Sequence, residues 1–412
     1  MDICYLCRTF YFYAGGIESY TFHMAKSLSR LGHTVHIITE ESHEKRFNLE
    51  DLGERVYIHT IHSNREPFPG AWRLNRAIPI GHMTYARQVV HKIEEINSKY
   101  KIDIIEAPDL YAQSFFYAKI RDKAIPLVVR LHGGQCLSYG ANVGSYFSLE
   151  KIKKTFFWHM EKATTHRADH ISSVSQSFAD IAQKNWELRS RYIQVIYNGI
   201  DTEQFKPCFE KQSSMDILYV GRLEAGKGIG VWAQAMPEIV RQFPNARFVF
   251  AGRDTKIVNG DGTWMEHILK LVAKENVVFL GEITREELKG HYQKSGICVF
   301  PSLFEAFGIV LIEAMASGCA CVASRVGGFV EIITDRTDGL LVEKEDPQVL
   351  AQAVIGLLKN ESLRKSISAN AEKKVKQKFS IEKAAERMIK YYEDIVSGQK
   401  NTQSGITFKS NK

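Results

Sequence analysis

The sequence predicts an α/β protein with two open parallel sheets, one in each half of the chain. Short apolar runs alternate with stretches of helical period from Asp2 to beyond Leu340. The alternation pauses once, at the turn chemistry of Tyr197-Asn198-Gly199-Ile200-Asp201 and the polar stretch Lys206 to Ser214, and then restarts. In both halves a predicted strand leads through glycines into a helix, which is where ligands collect at open sheets. A chain of 412 residues is long enough for two or more domains.

Asp2 to Cys7 reads as the first strand, and Gly15-Gly16 precede a helix from about Ile17 to Leu31 with Phe22, Ala25, Leu28 and Leu31 as its apolar stripe. Gly15 and Gly16 let a ligand approach the backbone, but the spacing is not G-x-G-x-x-G, which disfavours a nicotinamide cofactor. Strands follow at Thr34 to Thr39 and near Val56 to Ile61, then a helix near Tyr85 to Tyr100 and a strand at Ile102 to Ile105. A helix from about Leu110 to Ile120 leads to the strand Pro126 to Leu131. His132 stands directly after that strand, at the carboxyl end of the sheet, with Gly133 and Gly134 behind it.

Two irregular stretches are long for a compact domain and read as binding segments. One, Ser63 to His82, carries Pro67, Phe68, Pro69, Trp72, Arg73 and Arg76; the other, Gly133 to Ser148, carries Gln135, Tyr139, Asn142 and Tyr146. The helix Leu149 to Arg167 is basic and aromatic, a character that suits domain packing or a membrane surface. Ile171 to Ser175 and Ile193 to Ile196 supply the last strands of this half.

The second series begins with a strand at Asp216 to Val220 and the turn Gly221-Arg222-Leu223-Glu224-Ala225-Gly226-Lys227-Gly228, entering a helix from Ile229 to Phe243. Arg222 and Lys227 flank a glycine turn and can hold a diphosphate from two sides. This is not a P-loop, in which Ser or Thr follows the lysine. Strands at Arg247 to Ala251, Val277 to Leu280 and Ile297 to Phe300 lead to Pro301-Ser302-Leu303-Phe304-Glu305-Ala306-Phe307-Gly308 and a helix from Ile309. Free N–H groups at that helix start suit an anion, and two carboxylates, Glu305 and Glu313, bracket it. Glu313 sits between Ile312 and Ala314, so its charge needs a partner. Strands at Ala320 to Ala323 and near Leu340 to Val342, helices from Pro347 to Lys378, and a helix from Ser380 to about Val396 finish the pattern. The polar tail beyond Ser397 reads as disordered.

With 44% hydrophobic and 25% charged residues the chain has the composition of a soluble globular protein. The net charge of +7 suits an anionic ligand or a peripheral membrane contact, and no dense Lys/Arg block with interleaved aromatics points to nucleic acid. The seven cysteines (positions 4, 7, 136, 208, 298, 319 and 321) are odd in number and scattered, which implies reduced thiols and a cytoplasmic location. Cys4 and Cys7 lie inside a predicted strand without a second pair, so they read as structural thiols rather than a zinc or redox site. The chain opens directly on a strand without a signal peptide, and no apolar run approaches the roughly 20 residues that span a bilayer.

Together these motifs resemble the retaining GT-B glycosyltransferases, specifically glycosyltransferase family 4 (group 1). The resemblance rests on Gly221-Arg222-Leu223 with Lys227-Gly228, the Glu305 to Glu313 stretch with Phe307-Gly308, Tyr197 to Asp201, and Gly15-Gly16-Ile17-Glu18 with Leu31-Gly32-His33. It covers nearly the whole chain. It implies two Rossmann-like domains facing an interdomain cleft, residues 1–205 binding acceptor and residues 206–379 binding nucleotide-sugar. The helix 380–397 would cross back to the first domain, with a tail at 398–412.

By the same resemblance, Arg222 and Lys227 would hold the donor diphosphate, Glu313 the ribose hydroxyls, and Glu305 the transferred sugar. Backbone N–H groups of Phe307, Gly308, Ile309 and Val310 would hold sugar and phosphate, Gly15 and Gly16 would close on the donor, and His132 would lie beside the reacting carbon. The donor would be a UDP- or GDP-sugar, and the acceptor a saccharide or lipid-linked saccharide. With no D-x-D pair in a metal-binding context, neither a metal nor another cofactor is expected, and location at the inner face of a membrane fits a lipid-linked acceptor. Ala306 replaces the glycine often found after the first glutamate, and Gly318-Cys319-Ala320-Cys321 lacks a frequent proline. Ala14 stands where starch and glycogen synthases carry a lysine. A small soluble acceptor, an epimerase of the same fold, and a non-catalytic nucleotide-sugar-binding protein are the alternatives.

Overall fold

The structure is a computed structural model, and it describes residues 1–10, 15–41, 52–62, 78–120, 125–134, 149–188, 190–207, 216–257 and 260–398. The predicted binding residues Pro67 to Arg76 and Gln135 to Tyr146 lie outside the described residues, as do Ala14, Cys136, Cys208, most of the predicted linker and the tail from 399.

The first sheet contains β1 (Asp2–Leu6), β2 (Thr34–Glu40), β3 (Val56–Ile61), β4 (Ile104–Pro108), β5 (Leu127–Leu131), β6 (His170–Ser173) and β7 (Ile193–Val195). Its order is β3-β2-β1-β4-β5-β6-β7 and every pairing is parallel. The second contains β8 (Asp216–Val220), β9 (Arg247–Ala251), β10 (Val277–Gly281), β11 (Ile297–Phe300), β12 (Ala320–Ser324) and β13 (Leu340–Val342), ordered β10-β9-β8-β11-β12-β13 and again parallel. Helices cover both faces, so the central strands are buried on both sides and read as unbroken apolar runs. Strand order reverses at β1/β4 and at β8/β11, the positions where a crevice opens at the carboxyl ends.

In chain order the helices of the first half are α1 (Gly16–Arg30), α2 (Ile80–Tyr100), α3 (Phe115–Ile120), α4 (Leu149–Arg167) and α5 (Gln176–Asn185). The second half adds α6 (Ile229–Gln242), α7 (Trp264–Ile268), α8 (Arg285–Lys294), α9 (Ile309–Ala316), α10 (Phe329–Ile332), α11 (Pro347–Lys359) and α12 (Glu361–Lys378). The last helix, α13 (Ile381–Val396), crosses back: Ala384, Ala385, Met388 and Tyr392 share one core with Ile3, Tyr5, Ala25 and Leu28. The crossing is tied by Ile200 N donating to Phe379 O and Ile381 N donating to Ile200 O, at 3.0 and 2.8 Å. A Cβ on Gly199 would sit 2.6 Å from Ser380 O, which is why glycine follows Asn198 in this turn. Two Rossmann-like sheets facing a cleft, closed by a returning helix, are the architecture that the resemblance implies.

One local expectation is corrected. Leu110 to Ile120 is not one helix: a 3-10 turn at Leu110–Ala112 precedes α3, with Tyr111 at φ 61 and Ala112 at φ 47. The left-handed backbone at Tyr111 and Ala112 interrupts the helix there, and Tyr111 N donates to Glu161 Oε1 at 3.0 Å. The helices expected from Pro347 to Lys378 are α11 and α12, divided at Asn360, whose Oδ1 accepts from Leu363 N and caps α12. Between β6 and β7 lies α5, unmarked by the strand reading and capped by Ser175 Oγ accepting from Phe178 N. In α4, Phe157 and Met160 are buried and Lys162 pairs with Glu187, so part of its aromatic character serves packing. Cys4 and Cys7 are buried thiols without a disulfide, and burial pushes both well above the usual thiol range.

Candidate active site

The loop from β8 to α6 and the loop from β11 to α9 are locked together by backbone. Leu303 N donates to Gly226 O at 3.1 Å, and Gly228, at φ +70, lies so near that a Cβ would stand 1.7 Å from Pro301 O. This brings Lys227 Nζ to 2.8 Å from Glu305 Oε2. Burial pulls the Lys227 ammonium down, but the charge and hydrogen bond of Glu305, aided by Glu224, outweigh it and leave it raised. Arg222 Nη2 lies 2.9 Å from Glu224 Oε1 and its side chain is half exposed. A second brace holds Glu305 from behind: its carbonyl accepts from Gly328 N at 3.0 Å.

A cavity of about 310 Å³ brings together Arg222, Lys227 and Glu305 with His132 and Tyr111 from the first half. His132 N donates to Asp109 Oδ1 at 2.9 Å and Gly134 N to Asp109 Oδ2 at 2.8 Å, which fixes the turn after β5. The imidazole rests on the Tyr20 ring, centroids 4.8 Å apart. Burial, with the Arg130 charge adding to it, drives the His132 pKa well down, so the ring is neutral at physiological pH. Asp109 moves the other way: burial lifts it to about 6 against the backbone N–H groups it receives.

A second cavity of about 640 Å³ adjoins, with Arg222 lining both. Its walls include Gly15, Gly16 and Ser19 from the first half and Gly221, Gly252, Arg285, Ile309, Val310 and Glu313 from the second. Phe307 and Gly308 line neither cavity. The Phe307 ring stacks on Tyr197 in the core, and Gly308, at φ +112, makes the turn into α9 against Phe329. Gly15 caps α1, whose start is covered by Glu18; the Glu18 carboxylate in turn accepts from Thr9 Oγ1 at 2.6 Å.

Several residues at the site have no counterpart in the sequence reading. Arg285 Nη2 lies 2.5 Å from Glu313 Oε1, and the Tyr292 hydroxyl lies 3.4 Å from Glu313 Oε2. Burial raises the Glu313 carboxyl, and Arg285 and Tyr292 offset only part of that. Beneath His132, Glu106 accepts from the hydroxyls of Tyr20 and Tyr392 at 2.8 and 2.7 Å. Arg130 lies 4.6 Å over the Tyr20 ring and donates to Asn198 Oδ1 at 2.9 Å. Both charges stand inside apolar strands, a signal that they needed partners; nothing local said which. Among the described residues, no three His, Cys, Asp or Glu side chains are grouped as a metal site, and no helix is long and apolar enough to cross a membrane.

Family models agree with this geometry: residues 14–204 match "Glycosyltransferase Family 4" and residues 201–374 match "Glycosyl transferases group 1". An uncharacterized glycosyltransferase of Methanocaldococcus jannaschii is 30% identical over 390 residues, covering 94% of this chain and 96% of the relative. The phosphatidylinositol N-acetylglucosaminyltransferase gpi3 subunit of Schizosaccharomyces pombe is 26% identical over 93% of this chain and 78% of its own. The N-acetyl-alpha-D-glucosaminyl L-malate synthase of Bacillus anthracis is 25% identical over 92% and 93%. Among solved structures, sucrose-phosphate synthase from Thermosynechococcus elongatus shares the fold with a TM-score of 0.77 at 22% identity, over 97% of this chain and 100% of that one. The chain belongs to glycosyltransferase family 4, the group 1 glycosyltransferases of GT-B fold, and is a glycosyltransferase.

Proposed function

We propose that the chain moves a sugar from a UDP- or GDP-sugar to an acceptor hydroxyl, with retention of anomeric configuration and without a metal ion, in saccharide or lipid-linked polysaccharide assembly. The observation that carries this reading is the meeting of Arg222, Lys227, Glu305 and His132 in one cavity that adjoins the one holding Glu313. A nucleotide would lie in the larger cavity with its ribose at Glu313 and its diphosphate at Arg222 and Lys227. Its sugar would enter the smaller cavity beside Glu305 and His132.

In that pose the bond from the anomeric carbon to the diphosphate breaks, and the diphosphate leaves with the electron pair. Fixed cations at Arg222 and Lys227 stabilise the charge that develops there. The acceptor oxygen bonds to the anomeric carbon on the same face, and its proton passes to a diphosphate oxygen. Glu305 orients Lys227 and a sugar hydroxyl, and neutral His132 accepts a hydrogen bond from the sugar. The backbone of Ile309 and Val310 supplies N–H donors at the start of α9, and Gly15 and Gly16 admit the donor close to α1.

A lipid-linked acceptor fits the relative whose name specifies phosphatidylinositol, and such an acceptor would call for work at the cytoplasmic face of a membrane. The relative whose name specifies malate favours a second reading, transfer to a small soluble acceptor. The test is a thermal-shift screen of nucleotide sugars in EDTA, since a matching donor stabilises the fold by mass action. It is followed by NMR of the product formed from the matching donor. Activity in EDTA with an unchanged anomeric configuration supports the proposal; strict dependence on Mn²⁺ or an inverted product overturns it.

A further inference from the structure

Glu313 is held from α8, and α8 is tied in turn to α1. Arg285, the first residue of α8, places Nη2 2.5 Å from Glu313 Oε1, while its Nη1 donates to Ser19 Oγ on α1 at 2.7 Å. The guanidinium also lies 5.2 Å over the Phe205 ring, and the side chain is only 14% exposed against 4% for Glu313. Tyr292 stands seven residues after Arg285 on α8, two turns along the same face; its hydroxyl donates to Val310 O at 3.2 Å and lies 3.4 Å from the other carboxylate oxygen. On α1, Ser19 and His23 share a face; His23 is buried and kept neutral by burial and by the nearby Arg285 charge, so it does not repel the guanidinium.

A carboxylate offers about four acceptor positions; Arg285 takes one, and the single Tyr292 proton, shared with Val310 O at 3.2 Å, takes no more than one other. That leaves capacity for two hydroxyl donors from a vicinal diol. A carboxylate on an otherwise apolar helix keeps its charge and its aim only if something holds it. Arg285 is the sole cation in hydrogen-bond contact with it among the described residues. Its planar fork serves two partners at once, which a lysine cannot reproduce.

Resting on the donor site proposed above, we infer that Arg285 is the positioning residue for ribose recognition: it aims the Glu313 carboxylate at the 2′,3′-diol and anchors it across the cleft to α1 through Ser19. Arg285 acts through Glu313 and makes no contact with the diphosphate.

The experiment is calorimetric titration of the full chain with UDP and GDP and with their 2′,3′-dideoxy counterparts. Wild type should prefer the ribose form of whichever base binds by about 100-fold, the scale of two hydrogen bonds to a charged group. E313Q and R285A should each cut that preference to below about 10-fold. R285A added to E313Q should cost no more than about 2-fold further, because both changes remove one interaction. S19A, which loses one of the two anchors, should fall between R285A and wild type. If R285A does not fold, as judged by its melting curve, R285K is read in the same cycle. An R285A protein that keeps the full preference, or one that loses as much again in the E313Q background, overturns the role of Arg285. An unchanged S19A overturns the anchor across the cleft. An E313Q protein with the full ribose preference overturns the donor-site reading itself, whatever Arg285 does.

Discussion

Lys227 and Glu305 are 78 residues apart in sequence and 2.8 Å apart in space, held there by two glycine-hinged loops that leave no room for a side chain between them. An ammonium that is paired and largely shielded costs little to reorganise when negative charge develops beside it. Lys227→Ala and Glu305→Ala should each lower kcat/KM by about 10²- to 10³-fold, the usual cost of deleting one preorganised electrostatic group. Initial rates with the matching donor check this, and an unchanged rate for either variant dismisses its role.

Gly228 is the physical joint of that pair. Its φ of +70 is left-handed and a Cβ would stand 1.7 Å from Pro301 O, whereas Gly281, at φ +67, has open space around its Cβ position. Gly281→Ala should cost about 1–2 kcal/mol from backbone strain alone. Gly228→Ala should cost about 2–4 kcal/mol and displace Lys227 as well. Urea unfolding of the two variants side by side reads the difference; equal losses would show that the close approach to Pro301 carries no weight.

Glu106 and Arg130 are both essentially without solvent contact. Arg130→Met should therefore destabilise the fold by about 1–3 kcal/mol, because it leaves Ile196 O and Asn198 Oδ1 without their donor and removes a charge that favours ionised Glu106. Adding Glu106→Gln should recover part of that loss, since the carboxylate left without that charge disappears with it. Thermal denaturation of the single and double variants gives the coupling, and a double variant as unstable as the sum of the singles would refute it.

Acid should loosen the fold through His23. Burial lowers its pKa to about 3, with the Arg285 and Lys26 charges adding to the shift. The unfolded chain titrates near the ordinary value of 6.5, so between these values it binds more protons than the folded one. The stabilisation is thus complete above about pH 6.5 and is lost at about 1.4 kcal/mol per pH unit below it. Unfolding free energies of wild type and His23→Leu between pH 7 and pH 5 should diverge by that slope; parallel curves would contradict it.

Much of the architecture is legible in the sequence because buried parallel strands are short apolar runs between polar punctuation. Val56–Ile61, Asp216–Val220, Arg247–Ala251, Ile297–Phe300 and Leu340–Val342 are strands over the residues that pattern marks. The glycine turns around Arg222, Lys227 and Glu305 are equally plain, since a turn with a close approach admits few other residues. What stays hidden is pairing at long range. Arg285 stands in Thr284-Arg285-Glu286-Glu287, which reads as an ordinary exposed first turn, and only the fold brings it to Glu313 and Ser19. Glu106 and Arg130 announce a need for partners, but Tyr392 arrives from the far end of the chain. The break after Leu110 is a left-handed turn at Tyr111 and Ala112, residue types that carry no local mark of it.

In the proposed mechanism Arg222 and Lys227, not a metal ion, hold the nucleotide's diphosphate in the cleft between the two sheets. Calorimetric titration of wild type and Lys227→Ala with UDP, GDP and the matching monophosphates, all in EDTA, tests it most directly. One diphosphate should bind wild type in EDTA, Lys227→Ala should weaken it by about 10-fold or more, and the monophosphate should change by less than about 3-fold. A diphosphate that binds both proteins equally, or that binds only when Mg²⁺ or Mn²⁺ is restored, would contradict it.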